Sequence, residues 1–166
     1  MPTANEIIIE PFDGDLADMR EIAEFHLGIR QHQEATTPKR FSNIYASQVD
    51  LMDIDGYYKS GNGNFWTARD SEIARLVGIV GLHDEGEGHG VLKRMAVDPN
   101  FRRRRIGTRL VNTLLDHARE TSFSVLTLET AKDEDGYPLY LAAGFIETGR
   151  VLRNRDYIMR LDIIQP

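Results

Sequence analysis

The sequence predicts an α/β fold in which a mixed, mostly antiparallel sheet of about seven strands carries helices on both faces. Two apolar segments, 73–82 and 91–97, flank the acidic turn 84–88 and predict an antiparallel hairpin. Residues 106–118 carry an apolar stripe at helical spacing, so a helix follows the hairpin. The next apolar segment, 124–129, is reached through that helix. A crossover helix joins parallel strands, so this segment should lie parallel to 91–97.

The remaining elements complete the chain order β-α-α-β-β-β-α-β-α-β-β. Asp13 to Asp15 supply capping groups for a first helix that ends near Arg30. Gly144 suits the C-terminal cap of the last helix, and the polar residues 31–44 predict a loop. No repeat or linker divides the 166 residues, so a single domain is expected. The other predicted segments are strands at 6–10, 65–68, 145–148 and 157–163 and helices at 46–58 and 138–143.

Composition excludes several classes of function. The chain has no cysteine, which removes disulfides, thiolate catalysis and cysteine zinc sites, and no metal site is expected. Its formal net charge of −6 argues against general binding of nucleic acid. No basic segment followed by an apolar run marks a signal peptide, and no apolar stretch is long enough to cross a membrane. A cytoplasmic protein without a membrane partner is therefore predicted.

A basic loop stands out in this acidic chain. Arg102 to Arg105 are four consecutive arginines between a predicted strand and a predicted helix. The first turn of a helix has unpaired N–H groups and the positive end of the helix dipole, which together can hold a phosphate. Arginines add forked hydrogen bonds to such a group, and Gly107 lets it approach the backbone. No serine, threonine or aspartate occupies the cap position, so an external anion could cap this helix. The alternative is a solvated basic helix end that pairs with acidic residues.

Several ordered motifs between about residues 73 and 163 resemble those of the GNAT superfamily of N-acetyltransferases. Arg102 and Gly107 match the first and last positions of the family's coenzyme loop, Gln/Arg-x-x-Gly-x-Gly/Ala, which follows a strand ending near Val-x-Pro. Arg105 stands where the family usually has its first glycine. Residues 139–145 resemble the family's Leu-Tyr-x-x-x-Gly-Phe motif. The resemblance implies the GNAT fold, in which the parallel strands 4 and 5 splay apart.

Residues 92–97 and 126–130 resemble those two strands. The resemblance implies that acetyl-CoA binds as a cosubstrate in the gap between them, its pantetheine arm pairing with strand 4 like an added strand. It assigns main-chain contacts with the coenzyme to Met95, Ala96 and Val97. It assigns the pyrophosphate to Arg102, Arg103, Arg104, Arg105, Ile106, Gly107 and Thr108.

The resemblance also implies direct attack of a substrate amine on the thioester. Tyr140 matches the family's tyrosine general acid, and an aromatic side chain packed against the sheet is the alternative interpretation. Val91 occupies the position of the family's glutamate base, so Glu87 and His89 are the candidate catalytic bases. Each of them is also compatible with a solvent-exposed turn. Further candidates are His83, Glu85 and Glu129, and a chain of waters without a single base is another alternative.

The predicted function is therefore acetyl-CoA-dependent N-acetylation of a primary amine on a small molecule or a peptide. The acceptor pocket is expected between the first two helices and residues 31–45, with Tyr57 and Tyr58 either lining it or in the core. Trp66 is assigned to the core.

Two other functions are compatible with the same residues. A non-catalytic acyl-CoA sensor is suggested by Arg105 and by the absence of the family's glutamate. A nucleic-acid-binding module would use Arg102–Arg105 and Arg109, but the acidity of the chain opposes it. The sequence leaves the oligomeric state open, a homodimer included.

Overall fold

The computed structural model describes residues 5–36, 46–132 and 134–164, with the side chains of 33–36 and 46–47 left aside. Within these ranges no helix is long and apolar enough to cross a membrane. The helices are α1 (Leu16–Thr36), α2 (Ile54–Tyr58), α3 (Ile106–Glu120) and α4 (Gly136–Ala142), with 3₁₀ helices at Ala46–Met52 and Pro99–Phe101. The strands are β1 (Ile7–Pro11), β2 (Asn64–Asp70), β3 (Leu76–Gly86), β4 (His89–Val97), β5 (Val125–Thr130), β6 (Ile146–Arg150) and β7 (Tyr157–Asp162).

The seven strands form one mixed sheet in the order β1-β2-β3-β4-β5-β7-β6. Every neighbouring pair is antiparallel except β4 and β5, which are parallel and joined through α3. The fold class predicted from the sequence is therefore confirmed, as is the parallel orientation of this pair.

A hydrophobic core lies on each face of the sheet. On one face the apolar stripe of α3, including Leu110 and Leu114, packs with residues of β2 to β5 and with Tyr140 of α4. On the other face Ile22 of α1 and Leu51 of the first 3₁₀ helix pack with residues of α2, β2 and β3. The sheet thus separates two helical layers.

Several predicted boundaries were wrong. Helix α1 continues to Thr36, past the predicted end near Arg30, and residues 37–45 of the expected loop lie outside the described part of the chain. The single helix predicted at 46–58 is split because Asp53 caps α2, its side chain accepting a hydrogen bond from the N–H of Gly56 at 3.0 Å. Strand β3 extends into the acidic turn as far as Gly86.

Candidate active site

Strands β4 and β5 diverge and open a gap in the middle of the sheet. They pair only from His89↔Val125 to Val91↔Thr127, so the second half of β4 has no ladder partner on the β5 side. Unpaired N–H and C=O groups along a strand can bind an extended ligand as an added strand. Residues 95–97 lie on this unpaired half.

A β-bulge at Arg94 bends β4 where the gap begins. Strand β4 has one residue more than β3 between two consecutive pairs of their register. Arg94 has a φ of 60°, a left-handed conformation that non-glycine residues rarely adopt. Its guanidinium is fixed by Asp50, with Nε donating to Oδ2 at 2.9 Å and Nη2 donating to Oδ1 at 2.5 Å. The ion pair holds the bulge in place from the side of the neighbouring 3₁₀ helix.

A pocket of about 620 Å³ lies beside the unpaired half of β4, a size typical of small-molecule sites. It is bounded by the end of β4, the arginine loop, the first turn of α3, the loop before α4, α4 itself and one face of α1. The lining residues are His26, Ile29, Arg30, Met95, Ala96, Val97, Phe101, Arg102, Arg103, Arg105, Ile106, Gly107, Thr108, Glu134, Asp135, Gly136, Leu139 and Tyr140.

The first turn of α3 faces this pocket without a side-chain cap. Arg105 is the N-cap residue and has φ 58° and ψ 23°, and its side chain makes no capping hydrogen bond. The N–H groups of the first helical turn have no partner within the helix, and the residues of this turn, 106–108, line the pocket. Gly107 is tightly placed, because a Cβ there would lie 3.1 Å from Cδ2 of Leu139. The missing side-chain cap expected from the sequence is confirmed, and an uncapped helix start is a favourable place for an anion.

The four arginines of the loop have different environments and do not form one continuous basic surface. Arg102 forms an ion pair with Asp135, while Arg103 and Arg105 line the pocket. Arg104 points away from it, since its guanidinium donates to the carbonyl oxygen of Asn5 and lies 5.4 Å from the ring centroid of Phe101. Nine of the ten residues predicted to bind the coenzyme thus line one pocket, and Arg104 is the exception.

Tyr140 lines the pocket with 6% of its surface exposed. Burial raises the pKa of its phenol, and the nearby charge of Glu134 raises it further. The hydroxyl therefore stays protonated at neutral pH and can donate a hydrogen bond. Gly136 leaves room for the ring, because a Cβ at that position would lie 3.1 Å from the Tyr140 hydroxyl oxygen.

The two candidate bases lie away from this pocket. His89 begins β4 and Glu87 sits in the turn before it, so both are at the opposite end of the strand from Met95. Met95 comes six residues after His89 along the strand, which corresponds to roughly 20 Å. His89 Nε2 instead lies 2.7 Å from Thr127 Oγ1. The structure does not bring Glu87 or His89 to the pocket lining.

The aromatic residues considered for an acceptor pocket have separate environments. Trp66 is 4% exposed and belongs to the core, as predicted. Tyr58 is also buried, and its hydroxyl donates to Asp50. Tyr57 is half-buried on the opposite side of the sheet from α3, where its ring stacks on His83 at a centroid distance of 4.2 Å.

Sequence reasoning missed a buried polar cluster beneath the pocket. His26, 2% exposed, lines the pocket from α1, and its Nε2 lies 3.4 Å from both Arg30 Nε and Arg94 Nη1. Its Nδ1 lies 2.8 Å from the side-chain amide of Gln48. The one available signal was a histidine on the apolar stripe of the first helix, because a buried polar group needs hydrogen-bond partners.

The charges in this cluster are set by burial and by one another. Burial lowers the pKa of His26 to about 3, and the positive charges of Arg94 and Arg30 act in the same direction. Burial would raise the pKa of Asp50, but hydrogen bonds from Arg94 and Tyr58 outweigh it and hold the pKa below its usual value. At neutral pH the cluster therefore contains a neutral imidazole beside a carboxylate–guanidinium ion pair.

Fold and site together define a class of protein: an α/β domain whose one parallel strand pair opens onto an uncapped helix start, suited to a ligand with an extended arm and a phosphate group. Within that class the chain belongs to the acetyltransferase (GNAT) family, whose model matches residues 27–145. The resemblance drawn from the sequence motifs is thereby confirmed.

Named relatives agree with this assignment. The probable N-acetyltransferase camello of Xenopus laevis is 40% identical over 109 residues, which cover 61% of this chain and 48% of that protein. The chain thus spans about half the length of the curated relatives it matches.

Solved structures share the fold. A GNAT-family acetyltransferase from Staphylococcus aureus Mu50 superposes with a TM-score of 0.84 at 23% identity, covering 96% of this chain and 100% of that one. The PaiA N-acetyltransferase of Thermoplasma acidophilum in complex with coenzyme A superposes with a TM-score of 0.73 at 17% identity, covering 95% and 99%. Identities this low show the common fold alone.

Proposed function

We propose that this protein is an acetyl-CoA-dependent N-acetyltransferase that acetylates a primary amine of a small molecule or peptide. The observation that carries the proposal is the gap between β4 and β5, which leads from an unpaired strand edge to the uncapped start of α3. Membership of the GNAT family and a family neighbour solved with coenzyme A support the same ligand.

The residues of the pocket fit the coenzyme in two parts. The unpaired edge of β4 at 95–97 offers main-chain hydrogen bonds to an extended pantetheine arm. The uncapped N–H groups of α3 offer donors to the pyrophosphate, with Arg103 and Arg105 beside them. Arg102 contributes once it is released from, or shared with, Asp135.

In the reaction, the neutral amine nitrogen attacks the acetyl carbonyl carbon, the carbon–sulfur bond breaks, and coenzyme A leaves as a thiolate. The nitrogen then loses a proton to give the amide, and that proton converts the thiolate to the thiol. Tyr140 is proposed to donate a hydrogen bond to the departing sulfur. Because its pKa is raised above that of an ordinary thiol, the phenol keeps its proton and stabilises the developing thiolate by a hydrogen bond and not by full proton transfer.

The proton of the ammonium form leaves through water in this proposal. His26 faces the pocket, but a pKa of about 3 makes it a weak base at neutral pH. Glu87 and His89 lie at the other end of β4 from Met95, about two-thirds of the length of the strand away. Glu134, which lines the pocket and lies near Tyr140, is the carboxylate best placed to take a proton relayed by water.

A thermal-shift titration tests coenzyme binding. A ligand that binds only the folded state raises the unfolding midpoint progressively with its concentration, so acetyl-CoA should do so through the micromolar to millimolar range. No shift at millimolar acetyl-CoA would overturn both the transferase and the sensor. A salt-sensitive gain in stability with duplex DNA and none with acetyl-CoA would instead support a nucleic-acid-binding module.

Tyr140→Phe tests catalysis. Thiol release with a panel of amines should fall by about 10²-fold, because the hydrogen bond to the leaving sulfur is lost. Acetyl-CoA should still shift the midpoint of the variant. The matched control is Tyr137→Phe on the same helix, whose hydroxyl bonds Glu147 outside the pocket. Equal turnover in both variants would remove the role of Tyr140, and binding without any turnover would favour the sensor.

A further inference from the structure

The gap between β4 and β5 has a second side, which faces away from α3. The two strands separate just beyond the pair Val91↔Thr127. Leu92 and Leu126 point into the core beneath α3, so their neighbours in sequence point to the opposite face. This opposite face carries α1 and α2, the helices beside which the acceptor pocket is expected.

Lys93 is the first β4 side chain on that face beyond the last pair with β5. It is half-buried, its Nζ donates to the hydroxyl of Tyr57 at 2.5 Å, and it lies 5.0 Å from the centroid of that ring. No carboxylate of the described residues lies within ion-pair distance of this ammonium. The lysines at 59 and 132 both have such a carboxylate partner.

A half-buried ammonium whose partner is a neutral phenol is an unusual arrangement in a chain with 26 acidic and 20 basic residues. Tyr57 accepts from Lys93, which leaves the phenol hydrogen available to donate in its turn. Lys93 has further N–H groups of its own. The pair therefore presents two adjacent donors and one positive charge, which match the two oxygens of a single carboxylate.

The neighbouring polar groups already have partners of their own. Thr127 lies on the same face opposite Val91 and is bonded to His89. His83 Nδ1 donates to the carbonyl oxygen of Tyr57 at 2.9 Å and so fixes the residue that bonds Lys93. Glu129, further along β5, is exposed and pairs with Arg153 at 3.7 Å.

We propose that Lys93 and Tyr57 form a carboxylate site, and that the acceptor is a small amino acid or another amine that carries a carboxylate close to its amino group. Lys93 lies two residues before Met95, which lines the coenzyme pocket, roughly 7 Å along the strand. One small molecule can span that distance, with its carboxylate on Lys93 and its amine at the thioester. The assignment of the acceptor rests on the proposed transferase function.

The test compares amino acids with their own carboxamides as acceptors. The wild type should acetylate the carboxylates with the higher kcat/KM. Lys93→Met keeps the aliphatic stem but removes the charge, and should lower kcat/KM for the carboxylates by about 10- to 100-fold, mainly through KM. The carboxamides should lose far less. Taking the ratio within each protein cancels the different basicities of the two amines.

Three further variants test whether Lys93 and Tyr57 cause the preference for carboxylates. Lys93→Arg should restore much of the preference, and Tyr57→Phe should weaken it to a smaller extent. Lys132→Met, a lysine paired with Glu147 on the other face, should leave the preference as it is. Carboxamides that serve as well as the carboxylates in the wild type, or a preference that survives Lys93→Met, would overturn the proposal.

A binding measurement tests the carboxylate site even if the transferase function fails. If no amine in the panel is acetylated, the carboxylate site is judged by thermal shift in the presence of coenzyme A. The amino acids, and not their carboxamides, should then raise the midpoint of the wild type and leave that of Lys93→Met unchanged. Equal shifts in both proteins, or none in either, would count against the site.

Discussion

Arg105 takes the conformation that a glycine would take. It stands where the family's coenzyme loop usually has its first glycine, and its φ of 58° lies in the left-handed region that glycine enters freely. The sequence showed the departure from the motif, but it could not show how the backbone responds. The strain of this conformation falls on an arginine that lines the pocket.

Arg105→Gly should therefore stabilise the protein. The substitution relieves a left-handed residue, worth about 1–2 kcal/mol, but it also frees the unfolded chain, so the net gain is up to about 1 kcal/mol. A rise of about 2–4 °C in the unfolding midpoint would measure it. Arg102→Gly is the matched control, since Arg102 has a φ of −63° and no such strain to relieve. A midpoint that falls in both variants would contradict the argument.

Strand β4 depends on contacts that its own sequence does not reveal. Local hydrophobic pattern predicted the strand, its hairpin with β3 and its parallel pairing with β5, because each of these follows from short-range periodicity. The bulge at Arg94 could not be predicted, since its partner Asp50 is 44 residues away and belongs to a segment expected to be one continuous helix. Glu87 and His89 are candidate bases because they lie near Val91 in sequence, and nearness in sequence does not show whether a side chain reaches the pocket.

Asp50→Asn should destabilise the protein strongly. It leaves the guanidinium of Arg94 buried without its carboxylate, and breaking a buried ion pair in this way costs about 3–5 kcal/mol. Tyr58→Phe is the control in the same cluster, because it removes one hydrogen bond to Asp50 and keeps the ion pair, a loss of about 1 kcal/mol. Urea unfolding of both variants compares them. Equal losses would show that the ion pair does not hold the bulge.

Taken as a whole, the molecule joins its two helical layers through the strand gap. The sequence motifs predicted the layer that carries the arginine loop and Tyr140, since the residues of that layer are consecutive in a few segments. The opposite layer contributes His26 and Arg30 to the same pocket from a helix that no motif marks. The sequence showed only that His26 stands in the apolar stripe of this helix. The structure shows that the residue is buried and therefore part of the cluster.

His26 ties the stability of the whole protein to pH. Its native pKa of about 3 lies below the ordinary value of 6.5, so the unfolded chain takes up a proton that the native state excludes. The free energy of unfolding therefore has its full value above about pH 6.5. It declines by about 1.4 kcal/mol per pH unit as the pH falls from there toward 3. Urea unfolding of the wild type and His26→Gln at pH 7, 6, 5 and 4 measures this, because glutamine has no titratable group. The wild type should lose stability more steeply below pH 6.5, by nearly the whole one-proton slope. Parallel pH profiles would mean that His26 takes up its proton as readily in the native state as in the unfolded chain, and that burial and the arginines around it do not exclude the proton.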